Sequence, residues 1–359
     1  MRIIPSIIER YVGKYVVTWI IYITIFFCVL SWLIKFMEQL SNIGTGTYTV
    51  TVAMYAVSLR IPHNIYVFFP LSALMGTVVS LCMLGSRQEL VVMQGAGISK
   101  LRIVIATLKF SLPLMIAVML LAEYVIPSTE AKYDEVRAKT LKGIDLDVGS
   151  SGDIWIKEDN KFFHINYAGN NGKVDDIHLF VFDQNTHELL DSAEAKKGTY
   201  SQGKWNFENI THKHFRDDKL EIRHVDKEQW NVFITPDKFN ALSISPDELS
   251  ISALWSYVKY LKENKLESKK PEFELYRKIF SPFAIITMIC LAAAVAFGSM
   301  RSISMSARIV LGVVGGFAFY VSNQLFSPIS LVYGFPPLLC VILPSTIFFC
   351  FAIWVLTRR

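Results

Sequence analysis

The sequence predicts a membrane α-helical protein with six transmembrane helices and an inserted all-β domain of jellyroll or sandwich type. Three observations lead there. The 359 residues are 52% hydrophobic and 19% charged, with mean hydropathy +0.36. That is too apolar for a soluble enzyme and too charged for a chain made only of spans. Apolar runs long enough to cross a bilayer gather at both ends of the chain. Between them, over residues 128–271, the composition changes to short alternating strands separated by turn residues. The net charge of +5 is modest, and no basic block interleaved with aromatics suggests nucleic acid as a partner. The five cysteines, Cys28, Cys82, Cys290, Cys340 and Cys350, all lie in apolar runs. A disulfide framework or cysteine metal site in the polar middle is therefore excluded.

Taken in order, residues 1–14 alternate apolar positions with Arg2, Glu9, Arg10 and Lys14, the pattern of an interfacial helix. Residues 15–37 form an uncleaved first span, too long for a signal-peptide core. After a polar loop with Gly44-Thr45-Gly46, a second span covers about 62–84, bent near Pro70, and a third covers about 103–126, ending at Pro127. The strands expected next are 153–157, 162–167, 177–183, 204–211, 220–224 and 229–235. Asp159-Asn160, Gly169-Asn170-Asn171-Gly172, Asp183-Gln184-Asn185 and Arg216-Asp217-Asp218 supply the breaks. Ser245-Pro246-Asp247-Glu248 then reads as a serine N-cap with proline at N1 and glutamate at N3. Ile251, Leu254, Trp255, Val258 and Leu261 mark one face of the amphipathic helix that follows. Spans at about 279–298, 309–326 and 335–356 finish the chain. The domains are thus 1–127, 128–245, a connector 246–271 and 272–359.

Basic residues of the short loops fall on one side: Arg2, Arg10 and Lys14; Arg87, Lys100 and Arg102; Arg301 and Arg308; Arg358 and Arg359. The positive-inside rule puts both termini in the cytoplasm and the β domain on the far side.

One stretch between the second and third spans is patterned beyond a turn. In Ser86-Arg87-Gln88-Glu89-Leu90-Val91-Val92-Met93-Gln94-Gly95-Ala96-Gly97, Ser86 and Glu89 have capping-box spacing, Leu90 to Met93 form an apolar body, and the glycines let the chain turn back. It reads as a short surface helix at residues 86–97, offering a carboxylate to a partner. Catalysis is not expected: GxxxxGK[ST], GxSxG, HExxH and CxxC are all missing. His212 and His214, with His224 and His178, are the best enzyme signal, and a solvated strand face is the better reading, so no metal and no cofactor are assigned. Lys35 and Glu38, one turn apart at the far end of the first span, form either a snorkelling local ion pair or a cation at the mouth of a cavity that Arg137 would extend. Lys109, Glu123, Asn323 and Gln324 read as interhelical hydrogen-bonding groups.

The three-plus-three layout, the RQELVVMQGAG run, Arg10-Tyr11-x-Gly13-Lys14 and the closing Val332-Tyr333-Gly334-Phe335-Pro336-Pro337 together resemble the lipopolysaccharide-export ABC transporter permeases, the G-type more than its F-type paralogue. The resemblance covers essentially the whole chain. It implies a non-catalytic half-permease of the bacterial inner membrane, paired with the F-type permease and seated on a dimer of cytoplasmic ATPase subunits that bind the ATP. It also implies a helix from a bitopic C-type subunit, and transfer of lipopolysaccharide through periplasmic jellyrolls to a periplasmic bridge protein. Arg87, Glu89, Leu90 and Met93 would couple to the ATPase. Lys35, Arg137, Arg60 and His63 would meet lipid headgroups, and Phe26, Phe68, Phe317 and Tyr320 would lie along the lipid path or gate. Ser41 and Asn42 stand where relatives can carry a lysine pair, and His63 takes a basic position beside Arg60.

Two other classes compete. A membrane-anchored scaffold or sensor needs neither a coupling glutamate nor a cationic mouth. A lipid-modifying enzyme would depend on His212 or His214.

Overall fold

A computed structural model describes residues 7–142, 148–158, 160–169, 173–183, 188–201, 204–216, 219–230, 246–263, 268–298 and 304–357. Arg2, Ser245, Arg301, Arg358, Arg359, the tip residues of several strand turns and the end of the last expected strand (231–235) lie outside them. The chain divides into two compact units. One comprises Met1–Lys35, Ile61–Ile126 and Ser250–Arg359, the other Phe36–Arg60 and Pro127–Leu249.

In the first unit, α1 (Ile7–Leu40) is a single helix of 34 residues, with no break between interfacial and spanning parts. At 1.5 Å per residue it runs about 50 Å, well beyond a hydrocarbon core of about 30 Å. Next come α3 (Ile61–Ser86), the seven-residue α4 (Glu89–Gly95) and α5 (Lys100–Leu120). The third span does not stop at Pro127. A π turn at Leu121–Val125 shifts the ladder so that Ile126 N–H bonds the Leu121 carbonyl. Pro127 then falls in the first turn of α6 (Ile126–Lys142), where its missing N–H is tolerated. Lys100–Arg137 form one apolar helical span.

After the insertion come α7 (Ile251–Glu263), α8 (Lys269–Ile279), α9 (Ser281–Ala296), α10 (Met305–Tyr333) and α11 (Pro337–Thr357). Among the described residues five helical segments are long and apolar enough to cross a membrane, and α8 with α9, bent by 55° at the break, supplies a sixth if the pair is one span. The core runs along α9, whose Ala292, Ala293 and Ala294 let α3 and α11 pack closely. Close approach also sets α1 against α3: a Cβ on Gly76 would stand 2.6 Å from the Ile20 backbone. The N-cap of α7 is Ser250, whose Oγ accepts the Ala253 N–H at 3.2 Å. The helix therefore starts later than the Ser245 cap implies. Leu254, Val258 and Leu261 are buried as expected, whereas Trp255 is exposed.

The second unit holds the all-β domain and α2 (Val50–Leu59), an apolar helix that the sequence pattern leaves as loop. The strands are β1 (Val148–Glu158), β2 (Lys161–Gly169), β3 (Lys173–Phe182), β4 (Leu189–Ser201), β5 (Lys204–Arg216) and β6 (Lys219–Trp230). They form one six-stranded antiparallel sheet in which each strand pairs with the next. Among the described residues this is a meander, without the crossing connections of a sandwich or jelly roll. Strand β6 is one element where the sequence suggested two. Phe163, Ile165, Val174, Ile177, Ala193, Ala195, Trp205, Phe207, Ile210 and Trp230 make its core cluster.

Candidate functional site

Helix α4 is built by its two ends. Arg87 and Gln88 N–H bond the carbonyls of Met83 and Gly85, closing α3, and Gln88 takes a left-handed φ of +63° that redirects the chain. Gly97, at φ +85°, turns it back, with Ile98 N–H on the Met93 carbonyl at 3.1 Å. The expected capping box does not form. Ser86 Oγ donates to the Met83 carbonyl at 2.9 Å, so it serves α3. Glu89 Oε2 instead accepts the Tyr11 hydroxyl at 2.9 Å, from a residue 78 positions away. Tyr11 in turn stacks on Tyr15 at 6.4 Å. Leu90 is fully buried in the membrane-unit core and Met93 packs against that core. The outward face is Val91 and Val92, 53% and 70% exposed, with exposed Arg87 preceding the helix. Leu90 is thus the anchor of α4, and its neighbours Val91 and Val92 are exposed.

The cations expected at the far mouth differ in kind. Lys35 is half-buried and has no ion-pair partner among the described residues, so the local pair with Glu38 is not made. Arg137 is exposed and lies over the Tyr133 ring, 6.0 Å from its centroid. Arg60 is already balanced. Its Nε is 3.1 Å from Glu130 Oε2, its Nη2 2.8 Å from Glu248 Oε1, and its guanidinium also lies over the Tyr133 ring, 5.0 Å from the centroid. Glu130 is 1% exposed. Burial, and then the Glu130 carboxylate, push Glu248 up to about 7, with Arg60 only partly offsetting them. His63 is half-buried in the first turn of α3.

Among the aromatic residues, Phe26 is 62% exposed on α1 and leans on Phe27 at 5.6 Å. Phe27 stacks on Phe68 of α3 at 5.6 Å, giving a ladder of rings from one helix to the next. Phe317 and Tyr320 are 64% and 47% exposed on α10, while Phe319 between them is buried against Phe348. Asn323 and Gln324 bond within their own helix, to the Phe319 carbonyl and the Tyr320 hydroxyl. Glu123 does bridge elements, with a role the sequence does not reveal. From the π turn its carboxylate accepts the Ile251 N–H at 2.8 Å and the Ser252 Oγ at 3.0 Å, capping α7 from 128 positions away.

On the β domain His212 bonds Glu228 at 2.6 Å and His224 bonds Thr211 at 3.0 Å, two cross-strand pairs rather than one cluster. The His214 side chain lies outside the described residues.

Residues 10–358 match the family described as lipopolysaccharide export system permease LptF/LptG. The chain is 36% identical over 354 residues to lipopolysaccharide export system permease protein LptG of Haemophilus influenzae, covering 98% of both chains. To the protein of the same name in Escherichia coli K12 it is 33% identical over 357 residues, covering 99% of both. With membrane-capable helices on either side of an inserted antiparallel sheet, and a match along nearly its whole length, the chain belongs to the lipopolysaccharide export system permease LptF/LptG family.

Proposed function

We propose that this chain is the G-type half of an ABC permease that extracts lipopolysaccharide from the outer leaflet of the inner membrane and hands it to a periplasmic bridge protein. Hydrolysis takes place in a partner, a dimer of cytoplasmic ATPase subunits. The F-type paralogue completes the permease, and a bitopic C-type subunit adds one helix. Both termini and α4 are cytoplasmic and the β domain is periplasmic, as the basic loops require.

The observation that carries the reading is α4. A seven-residue helix between two spans shows Val91 and Val92 outward, is rooted in the bundle by Leu90, and has its carboxylate held by Tyr11 on α1. A push on α4 therefore reaches both α3, which runs into it, and α1. That is what a non-catalytic subunit needs to turn hydrolysis elsewhere into helix motion. On the lipid side, Lys35 and Arg137 meet headgroup phosphates, and the exposed rings Phe26, Phe317 and Tyr320, with Phe68 joined to Phe26 through Phe27, flank the acyl chains. Such shelter is required, because each methylene bared to water costs about 0.8 kcal/mol. Arg60 and His63 belong to the same proposed set, with Arg60 reaching a headgroup only by exchanging a carboxylate for it.

The test is co-purification from the native membrane in mild detergent, wild type against Glu89→Ala. Recovery of a soluble ATPase, a second six-span chain and lipopolysaccharide with wild type, and impaired ATPase association or coupling with Glu89→Ala, is the expected result. A chain that emerges alone refutes the permease reading in favour of a scaffold. For the lipid side, loss of lipopolysaccharide crosslinking in Lys35→Ala with Arg137→Ala is expected, and unchanged crosslinking removes these two residues from the path.

A further inference from the structure

The register of the sheet lines up residues that lie far apart in sequence. His164 on β2 faces His178 on β3, His178 faces Glu194 on β4, Glu194 faces Thr211 on β5, and Thr211 faces His224 on β6. Phe163, Ile165, Ile177, Ala193, Ala195 and Ile210 flank this row and are all buried. By strand alternation the row lies on the opposite face from the core. Most of it is a polar ladder of a kind any solvated sheet carries. One part differs.

At β3 the alternation breaks. Val174 and Ile177, three positions apart, are both buried, and between them Asp176 takes a φ of +54°. Aspartate tolerates this left-handed conformation better than most side chains. The break brings Asp176 Oδ1 to 3.3 Å from His178 Nε2. Asn166 Nδ2 donates to the other oxygen, Oδ2, at 2.6 Å, fixing the carboxylate in that orientation. The His164 ring stacks on the His178 ring, with centroids 5.8 Å apart and 27° between planes. Asp176, His178 and Glu194 each place one ligand atom within 4.8 Å of the other two.

We propose that Asp176, His178 and Glu194 form a binding site for a divalent transition-metal cation of the zinc class on the exposed face of the β domain. One imidazole and two carboxylates leave a fourth tetrahedral position for water. The nitrogen ligand favours zinc-like ions over magnesium or calcium, which take oxygen sets. The two carboxylates match the charge of the ion. Asn166 behind Asp176 and His164 against His178 are the outer shell that holds such ligands in place. Lys213, half-buried and 3.6 Å from Glu194, is the group a cation would displace. No short-range motif announces the site, because Glu194 is 16 residues from His178 and meets it only through pairing.

Cobalt(II) is the probe, titrated into the full chain in detergent without a polyhistidine tag and read by its visible d–d absorption. The expected result is one equivalent bound by wild type and weakening of about tenfold or more in His178→Ala, Asp176→Asn and Glu194→Gln. Binding should be unchanged in His224→Ala, which removes another imidazole of the row. Asp176→Asn and Glu194→Gln are near-isosteric, and matching thermal melts exclude misfolding as the cause. Absence of cobalt binding, binding that survives all three substitutions, or binding lost equally in His224→Ala overturns the assignment.

Discussion

Glu248 gives a test in which two opposed electrostatic effects predict different signs. Its carboxylate is 2.8 Å from Arg60, a distance that by itself favours the ionised form. Yet its side chain is only 14% exposed, and it shares that one guanidinium with Glu130, which is almost fully buried. Burial and the second carboxylate win, and Glu248 rises from 4.5 to about 7. Because the folded value lies above the unfolded one, the native state binds this proton more tightly. The stability so contributed is complete below about pH 4.5 and is lost as pH climbs through 7. At about 1.4 kcal/mol per unit, the whole swing is about 3 kcal/mol.

Glu248→Gln keeps shape and hydrogen bonding while removing the charge. Relative to wild type it should be nearly neutral at about pH 4.5 and stabilising at about pH 8. With about 2–4 °C per kcal/mol for a unit of this size, the melting temperature should rise by roughly 6–12 °C at the upper pH. The assay is a pair of thermal melts in detergent at matched scan rate across that range. If the variant is less stable than wild type at pH 8, the ion pair with Arg60 dominates and the reasoning about burial is wrong.

Removing the other partner should do harm at every neutral pH. Arg60→Ala leaves Glu130 charged and buried without its guanidinium, which costs about 3–5 kcal/mol and should appear as a lower melting temperature, whereas Lys35→Ala should leave melting unchanged. In α4, Leu90→Ala opens a gap in the core at a cost of about 2–5 kcal/mol, seen as faster protease cleavage of the 86–97 loop. Val92→Asp, on the exposed face, should spare cleavage and melting while weakening ATPase recovery.

Much of this architecture was legible because bilayer and sheet impose strong periods. The long apolar runs fixed the spans, and alternation around Phe162 to Tyr167 and Lys204 to Thr211 exposed two strands directly. Strand β4 was hidden because Ala193, Glu194, Ala195, Lys196 and Lys197 favour helix, and pairing with β3 and β5 overrides that preference. The α5–α6 helix was cut short at Pro127 because a π turn leaves no local signature. At the candidate sites, α4 was visible as an isolated patterned stretch. Its Tyr11 partner, the burial of Leu90, and the two carboxylates on Arg60 were not, since each depends on a contact between residues distant in sequence. Capping by Ser250 instead of Ser245 is the same kind of miss, decided by where α7 meets Glu123.

That Glu123 cap has a consequence for how the protein is put together. The chain leaves the membrane unit after Ile126 and re-enters it at Ser250, and Glu123 and Ile251, beside these two points, are joined by a hydrogen bond of 2.8 Å. The excursion from 127 to 249 therefore starts and finishes at one doorway, as an inserted module does whose ends lie side by side. The Glu123 carboxylate thus holds the point of departure against the point of return with a bond that belongs wholly to the membrane unit, whatever the length of chain between them.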